Sequence, residues 1–168
     1  RAFQPGDWVL IDLWAKETGP DAIFSDITWV AYIGDQVPKK HQEVFDAVTG
    51  ARDKAVETAK NAIAAGRELQ GWEVDKAARD FISERGYGQY FPHRTGHSLG
   101  KSVHADGVNM DNLETHDTRA LIPGLGFTIE PGVYLPEFGV RSEIDLYVGQ
   151  KTLEITTPVQ TSVVLISQ

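Results

Sequence analysis

Apolar residues gather in short runs near both ends of the chain and recur at helical spacing between them. Residues 8–14, WVLIDLW, and 26–33, DITWVAYI, are rich in β-branched and aromatic side chains and read as strands. Gly19-Pro20, inside the intervening AKETGPDA, marks a turn. The two strands are expected to form a hairpin. From 38 to about 65, Val44, Phe45, Val48, Ala51, Ala55, Val56, Ala59 and Ile63 recur at intervals of three and four, the rhythm of a helix. Pro38 at its start and Gly66 just past its end are the matching punctuation. A shorter helix runs through Val74, Ala77, Ala78, Phe81 and Ile82 and stops at Gly86. The segment from 87 to about 112 is glycine-rich and mixed. Strands are expected again at 126–130, 133–135, 140–148 and 151–155, with TSVVLI closing the chain. Two strands, two helices, a mixed loop and many strands make an α+β protein with a largely antiparallel sheet.

Composition narrows the functional classes. The 168 residues suit one domain, expected to span 1–168. With 16 basic against 24 acidic residues the formal charge is −8, and no Lys/Arg cluster exceeds Lys39-Lys40, so nucleic acid is not an expected partner. The longest apolar runs, VLI at 9–11 and VVLI at 163–166, are strand-sized, so no membrane span is expected. The absence of cysteine excludes disulfides and thiolate sites and fits a reducing, cytoplasmic compartment. No signal-peptide pattern opens the chain. It begins with Arg1 directly ahead of a strand-like segment, so an upstream part is expected to have been removed or left out.

A repeat brings in chemistry. PGDWVLID at 5–12 and PGLGFTIE at 123–130 share an opening Pro-Gly, an apolar fifth residue, Ile at the seventh place and an acid at the eighth. Each is followed at a similar distance by a Ser-acid-Ile triplet, SDI at 25–27 and SEI at 142–144. Asp12 and Asp26 lie equally far from Gly19, and Glu130 and Glu143 lie nearly symmetrically about Pro136. Each pair is expected to sit opposite across its own hairpin. Opposed residues in an antiparallel pair share a face with Cβ atoms roughly 4.5–5.5 Å apart, and like charges there repel. A bound divalent cation is the simplest compensation. The alternative is that these acids sit on solvated strand faces and the repeat is fortuitous.

HRTGHSLGKSVH, residues 93–104, places His93, His97 and His104 within twelve residues. Its glycines make an i, i+4 pair on one helical face doubtful, so His93 and His97 do not form a helical zinc motif. An isolated histidine is commonly a hydrogen-bonded structural residue. His41 and His116, in polar settings, are expected at the surface.

Taken together, IDLWAK, SDITWVAYIG, HRTGHSLG, TIEPGVYLP and VRSEID resemble the pita-bread metallopeptidase family, which includes methionine aminopeptidase, Xaa-Pro aminopeptidase, prolidase and creatinase. The resemblance runs through nearly all of the chain. It implies the pita-bread fold, an antiparallel sheet with an internal pseudo-two-fold hairpin repeat flanked by helices. It also implies that the chain is about two-thirds of the full domain, without its N-terminal segment. By the same resemblance Asp12, Asp26, His97, Glu130 and Glu143 are the ligands of two divalent metals. His93 and His104 then face the substrate or stand just behind the ligands. His-x-x-Gly-His, with Arg141 two residues before the last Glu, is similar to the proline-specific branch. Creatinase lacks this metal set, so its chemistry is disfavoured. Arg141 and Glu143, two apart on a strand, are expected to share a face, where the guanidinium can orient or neutralise the cluster.

The resemblance implies a hydrolase that cleaves the Xaa-Pro bond at peptide N-termini through a metal-bridging hydroxide. His104 would stabilise the oxyanion, His93 would bond the far side of the substrate and Glu130 would shuttle the proton. An oxygen-rich, sulfur-free ligand set suits Mn or Co, with Zn or Fe admissible. The substrate would be a peptide with proline at its second position, and a homodimer is left open. Two other readings stand beside this one: a prolidase acting on Xaa-Pro dipeptides, and a non-catalytic binding module or truncated fragment.

Overall fold

The computed structural model describes residues 1–167. Strands β1 (Trp8–Ala15) and β2 (Ser25–Ile33) form the first hairpin, followed by α1 (Lys39–Ala64) and α2 (Gly71–Glu84). A 3-10 turn at Gly88–Tyr90 leads to β3 (Ser98–Leu99). Then come β4 (Gly126–Ile129), β5 (Gly132–Tyr134), β6 (Gly139–Arg141), β7 (Ile144–Val148), β8 (Leu153–Ile155) and β9 (Val164–Ile166). They build sheets ordered β1-β2-β9, β3-β4-β7-β8 and β5-β6. The strand pairings among the described residues are antiparallel, except that β9 runs parallel to β2. The α+β expectation holds. No helix among the described residues is long and apolar enough to cross a membrane.

The helices form where the apolar rhythm placed them. Val44, Phe45, Val48, Ala51, Ala55 and Ala59 of α1 are buried in one core with Val74, Ala78 and Ile82 of α2. Gly66 and Gly86 adopt φ of 66° and 80° just past the two helices, a left-handed turn that glycine takes without Cβ strain. The guanidinium of Arg52, itself buried, ties α1 to the second hairpin by donating to Ser142 Oγ at 2.8 Å and to the Gln160 carbonyl at 2.8 Å.

Two expectations about the strands need correction. Asp12 and Asp26 are not directly opposed: the register pairs Asp12 with Thr28 and Trp14 with Asp26. The hairpin therefore centres on Pro20, one residue beyond Gly19, because its loop reverses over residues 19–22 and not symmetrically about the glycine. The shift is a full two residues along the ladder, so both acids keep the same face as diagonal neighbours. The strand expected over 140–148 is broken into β6 and β7. The pairs Ile129 with Ile144 and Gly132 with Arg141 follow one register, so the ladder is interrupted only around 130–131 and 142–143. Pro131 has no N–H to give there. The Glu143 N–H, at an outward-pointing place of that register, donates to the Thr28 carbonyl of β2 at 3.2 Å and so joins the two hairpins.

His41 is half-buried where full exposure was expected. Its ring stacks on Phe138 with centroids 3.8 Å apart, and Trp8 and Tyr32 flank it. Those aromatic neighbours come from distant segments, so its polar sequence setting was no guide. His116 is exposed, as expected.

The repeated hairpins differ in what covers their outer sides. Phe127, Ile129, Ile144 and Leu146 of β4 and β7 are fully buried, in the core cluster that the α1 side chains fill. In the first hairpin the matching side carries Val9, Ile11, Leu13, Ile27 and Trp29, and Ile11 and Leu13 are each 59% exposed. Ile11 and Ile129 hold the same place in the repeat but only one is in the core. Ile129→Ala should lower unfolding free energy by about 2–5 kcal/mol through lost burial and a cavity. Ile11→Ala should change it by less than about 0.5 kcal/mol. Equilibrium urea unfolding of both variants checks the contrast, and equal losses would contradict it.

Candidate metal centre

The acids meet where the inner face of the first hairpin adjoins the break in the second. Asp26 on β2, His97 just before β3 and Glu143 between β6 and β7 are all buried. One ligand atom from each lies within 4.8 Å of the others. Glu130, one residue past β4, adjoins this group, with Oε1 3.4 Å from His97 Nε2; Asp26 Oδ2 is 3.6 Å from the same nitrogen. Asp12 is more exposed, at the rim, and is ion-paired with Arg141. All five line one cavity of about 280 Å³, together with Trp14, His104 and Arg141. A larger cavity of about 520 Å³, bounded by Trp8, His41 and Phe138, holds none of the five, so size alone does not locate the chemistry.

Local backbone bonds bring His97 to Glu130. The loop is zipped to β4 by Glu130 N–H to the Thr95 carbonyl at 2.7 Å and Thr128 N–H to the His97 carbonyl at 2.8 Å. Thr128 Oγ1 accepts the His97 N–H at 3.0 Å. Gly96 allows this approach, since a Cβ there would lie 2.0 Å from the Thr128 carbonyl oxygen. Glycines that made the segment unreadable as a helix are what let it lie against the strand.

Arg141 reaches Glu143 through an intermediary. Its Nε donates to Thr28 Oγ1 at 3.0 Å, and that hydroxyl donates to Glu143 Oε2 at 2.6 Å. The guanidinium itself contacts Asp12, donates to Tyr134 OH at 3.1 Å and lies 3.8 Å from Glu130 Oε2. His93 is engaged at both nitrogens, Nδ1 with the Arg94 carbonyl at 2.7 Å and Nε2 with Tyr134 OH at 3.0 Å. It borders a smaller adjoining cavity of about 170 Å³ with Arg94, His104 and Glu114. His104 stands edge-on to His97, ring centroids 4.3 Å apart.

Sequence reasoning missed Thr28, Thr128, Tyr134 and Asp145. Thr28, Thr128 and Asp145 each stand two residues from a singled-out acid, and strand period would have put them on its face. Asp145, buried, accepts Ser25 Oγ–H at 2.8 Å and Asp26 N–H at 3.0 Å on one oxygen, bracing β2 from behind. Tyr134 gave no such signal.

The electrostatics are those of acids short of positive charge. Burial, with Glu130 adding repulsion, pushes Glu143 up to about 9. Burial also raises Glu130 to about 7 against the pull of His97 and Arg141, and lifts Asp145 to about 6. For His97 burial opposes the charged ring, but Asp26 and Glu130 outweigh it and hold the pKa above its ordinary value. Asp26 Oδ1 and Asp145 Oδ1 are buried without a hydrogen-bond partner. An orphaned carboxylate oxygen, raised acids and a single imidazole together fit a divalent cation.

Known proteins share this arrangement of chain. The profile of metallopeptidase family M24 matches residues 1–150. A Xaa-Pro dipeptidase from Pyrococcus horikoshii is 37% identical over 160 residues, which cover 93% of this chain and 42% of that protein. Among solved structures, a prolidase from Thermococcus sibiricus superposes with TM-score 0.82 at 34% identity, covering 99% of this chain and 42% of that one. An X-Pro aminopeptidase from Thermotoga maritima gives TM-score 0.81 at 32% identity, covering 97% of this chain and 43% of that one. The chain spans about two-fifths of the length of these relatives.

The raised acids set a pH dependence for the metal-free chain. Free glutamate titrates at 4.5, so the folded state holds protons at Glu143 and Glu130 that the unfolded chain has released. The stabilisation present below that value is lost as pH rises toward about 9. In EDTA, the urea midpoint should fall between about pH 5 and about pH 9, and Glu143→Gln should flatten much of the fall. A midpoint that climbs over this interval would count against it.

Proposed function

Because the chain belongs to metallopeptidase family M24, we propose that residues 1–168 form one catalytic unit whose acid cluster holds two divalent cations and hydrolyses the peptide bond before a proline. The observation that carries this reading is the buried Asp26, His97 and Glu143 group, with Glu130 beside it and an unpartnered oxygen on Asp26. Asp12, Asp26, His97, Glu130 and Glu143 are the ligands in this reading, with Mn or Co as the metals. Divalent ions bound there supply Lewis acidity that polarises a carbonyl and makes water nucleophilic near neutral pH.

The protein's own groups then divide the remaining work. Glu130, raised to about 7 in the metal-free chain, suits a carboxylate that takes a proton from the attacking water and passes it to the departing proline nitrogen. His104, exposed at the mouth of the cavity beside His97, donates to the oxygen on which charge develops. Arg141 restrains Asp12 directly and Glu143 through Thr28, which limits how the cluster can spread under its own repulsion. His93 is tied through Tyr134 to Arg141, so a substrate that takes the place of Tyr134 OH at its Nε2 is sensed by the same network.

Release of the first residue from longer peptides is the primary reading. Cleavage of Xaa-Pro dipeptides is the second, favoured by the names of the Pyrococcus horikoshii and Thermococcus sibiricus relatives. Ala-Pro-Ala and Ala-Pro separate them when alanine release is followed by mass spectrometry with and without Mn. The expected result is Mn-dependent release from Ala-Pro-Ala; cleavage of Ala-Pro alone selects the dipeptidase. Glu143→Ala should lower metal content and cut the rate by at least about 100-fold, since loss of even an outer-sphere partner often costs 10–100-fold. Retention of both by Glu143→Ala would sink the assignment. A wild-type chain that binds two metals but cuts neither peptide would leave the non-catalytic reading.

A further inference from the structure

Behind the centre lies a second group of buried charge whose side chains touch neither the four acids nor the His97 ring. Asp75 and Arg79 are four residues apart on α2 and form a two-point pair, Nε to Oδ2 and a terminal nitrogen to Oδ1, both at 2.8 Å. Asp75 is fully buried. A buried ion pair is an inefficient source of stability, because desolvation offsets its attraction. What a planar guanidinium locked to a carboxylate does supply is fixed direction.

The outward bonds of this pair all go to one loop. Arg79 lies over the Phe91 ring, 4.2 Å from its centroid, and donates to the Phe91 carbonyl at 3.0 Å and the His93 carbonyl at 2.8 Å. Asp75 Oδ1 accepts the Thr95 N–H at 2.9 Å and the Thr95 hydroxyl at 2.7 Å. The backbone is therefore gripped on both sides of Arg94. Thr95 is fully buried, and its carbonyl receives the Glu130 N–H at 2.7 Å. From α2 to Glu130 the path is two hydrogen bonds long, and His97 follows Thr95 by two residues.

We propose that Asp75 and Arg79 are positioning residues, which act through Thr95 to hold His97 and Glu130 at the separation the centre uses. The inference deepens the metal-centre reading and rests on it for its purpose, though the geometry stands without a cation. Val74, Ala78 and Ile82 also anchor α2 in the core, so the helix does not rest on the pair alone. If it serves only to satisfy loop backbone groups, its loss lowers stability and leaves the imidazole environment alone.

Three variants of the full chain distinguish these outcomes: Thr95→Val, which removes one hydroxyl at nearly constant shape, Thr95→Ser, which restores it, and Asp75→Asn. Each is followed by urea unfolding, by long-range proton–nitrogen NMR of the His97 ring without metal, and by calorimetric titration with Co(II). Thr95→Val should unfold cooperatively yet shift the His97 ring signals and weaken Co(II) binding by about tenfold, the lower end of what outer-sphere partners contribute. Thr95→Ser should return both to wild-type values, and Asp75→Asn should exceed Thr95→Val. If Asp75→Asn fails to fold, the Thr95 pair decides. Folded Thr95→Val and Asp75→Asn with wild-type His97 signals would overturn the proposal. A wild-type chain that takes up no Co(II) would remove the metal-centre reading, while the NMR comparison would still decide whether the pair positions His97.

Discussion

Glu143 is bonded twice to Thr28, through its own N–H to the Thr28 carbonyl and through its carboxylate from the Thr28 hydroxyl, and the rest of the centre depends on that double contact. It exists because main-chain groups alternate in direction along the second hairpin: the Ser142 N–H turns inward to the Pro131 carbonyl, and the next one, of Glu143, points outward to β2. The same alternation sends the Glu130 N–H out on the opposite edge, to the Thr95 carbonyl. Glu143 thus belongs by sequence to one hairpin and by hydrogen bonding to the other. Asp26 and Glu143 are consequently buried together, and everything nearby has to answer for two acids in one place.

Several groups share that task. Arg141 meets Asp12 and approaches Glu130, His97 lies between Asp26 and Glu130, and burial raises Glu130 and Glu143 enough to retain protons. None of these satisfies Asp26 Oδ1, which stays buried and unpaired. A fold selected for stability alone would hardly concentrate such groups, since apolar residues of equal size would stabilise it more. The strain on the acids is the strongest physical argument that this inner face is built for a cation.

The loop that carries the histidines shows how little of the arrangement is local. Its position is determined from one side by β4, through Gly96 and Thr128, and from the other by α2, through Asp75 and Arg79. The outer side of β4 and β7 is in turn sealed by α1, whereas the outer side of β1 and β2 is open at Ile11 and Leu13. The two halves share a strand plan but not a supporting layer.

Much was legible in the chain because it rests on periodicity. Spacings of three and four in residues 44–63 had only one regular structure to satisfy, and the helix formed with its glycine stop. The repeat placed Asp12 and Asp26 on strands and Glu130 and Glu143 at strand ends, and the period of two guaranteed that a register shift of two residues left Asp12 and Asp26 on one face. The same period could have exposed Thr28, Thr128 and Asp145. What no spacing could supply was the meeting of separate segments: that Glu143 would bond across to Thr28, that Tyr134 would join His93 to Arg141, and that His41 would stack on Phe138. Those contacts depend on where whole elements settle against one another, and that is decided by the packing of the entire core and not by any stretch of sequence within it.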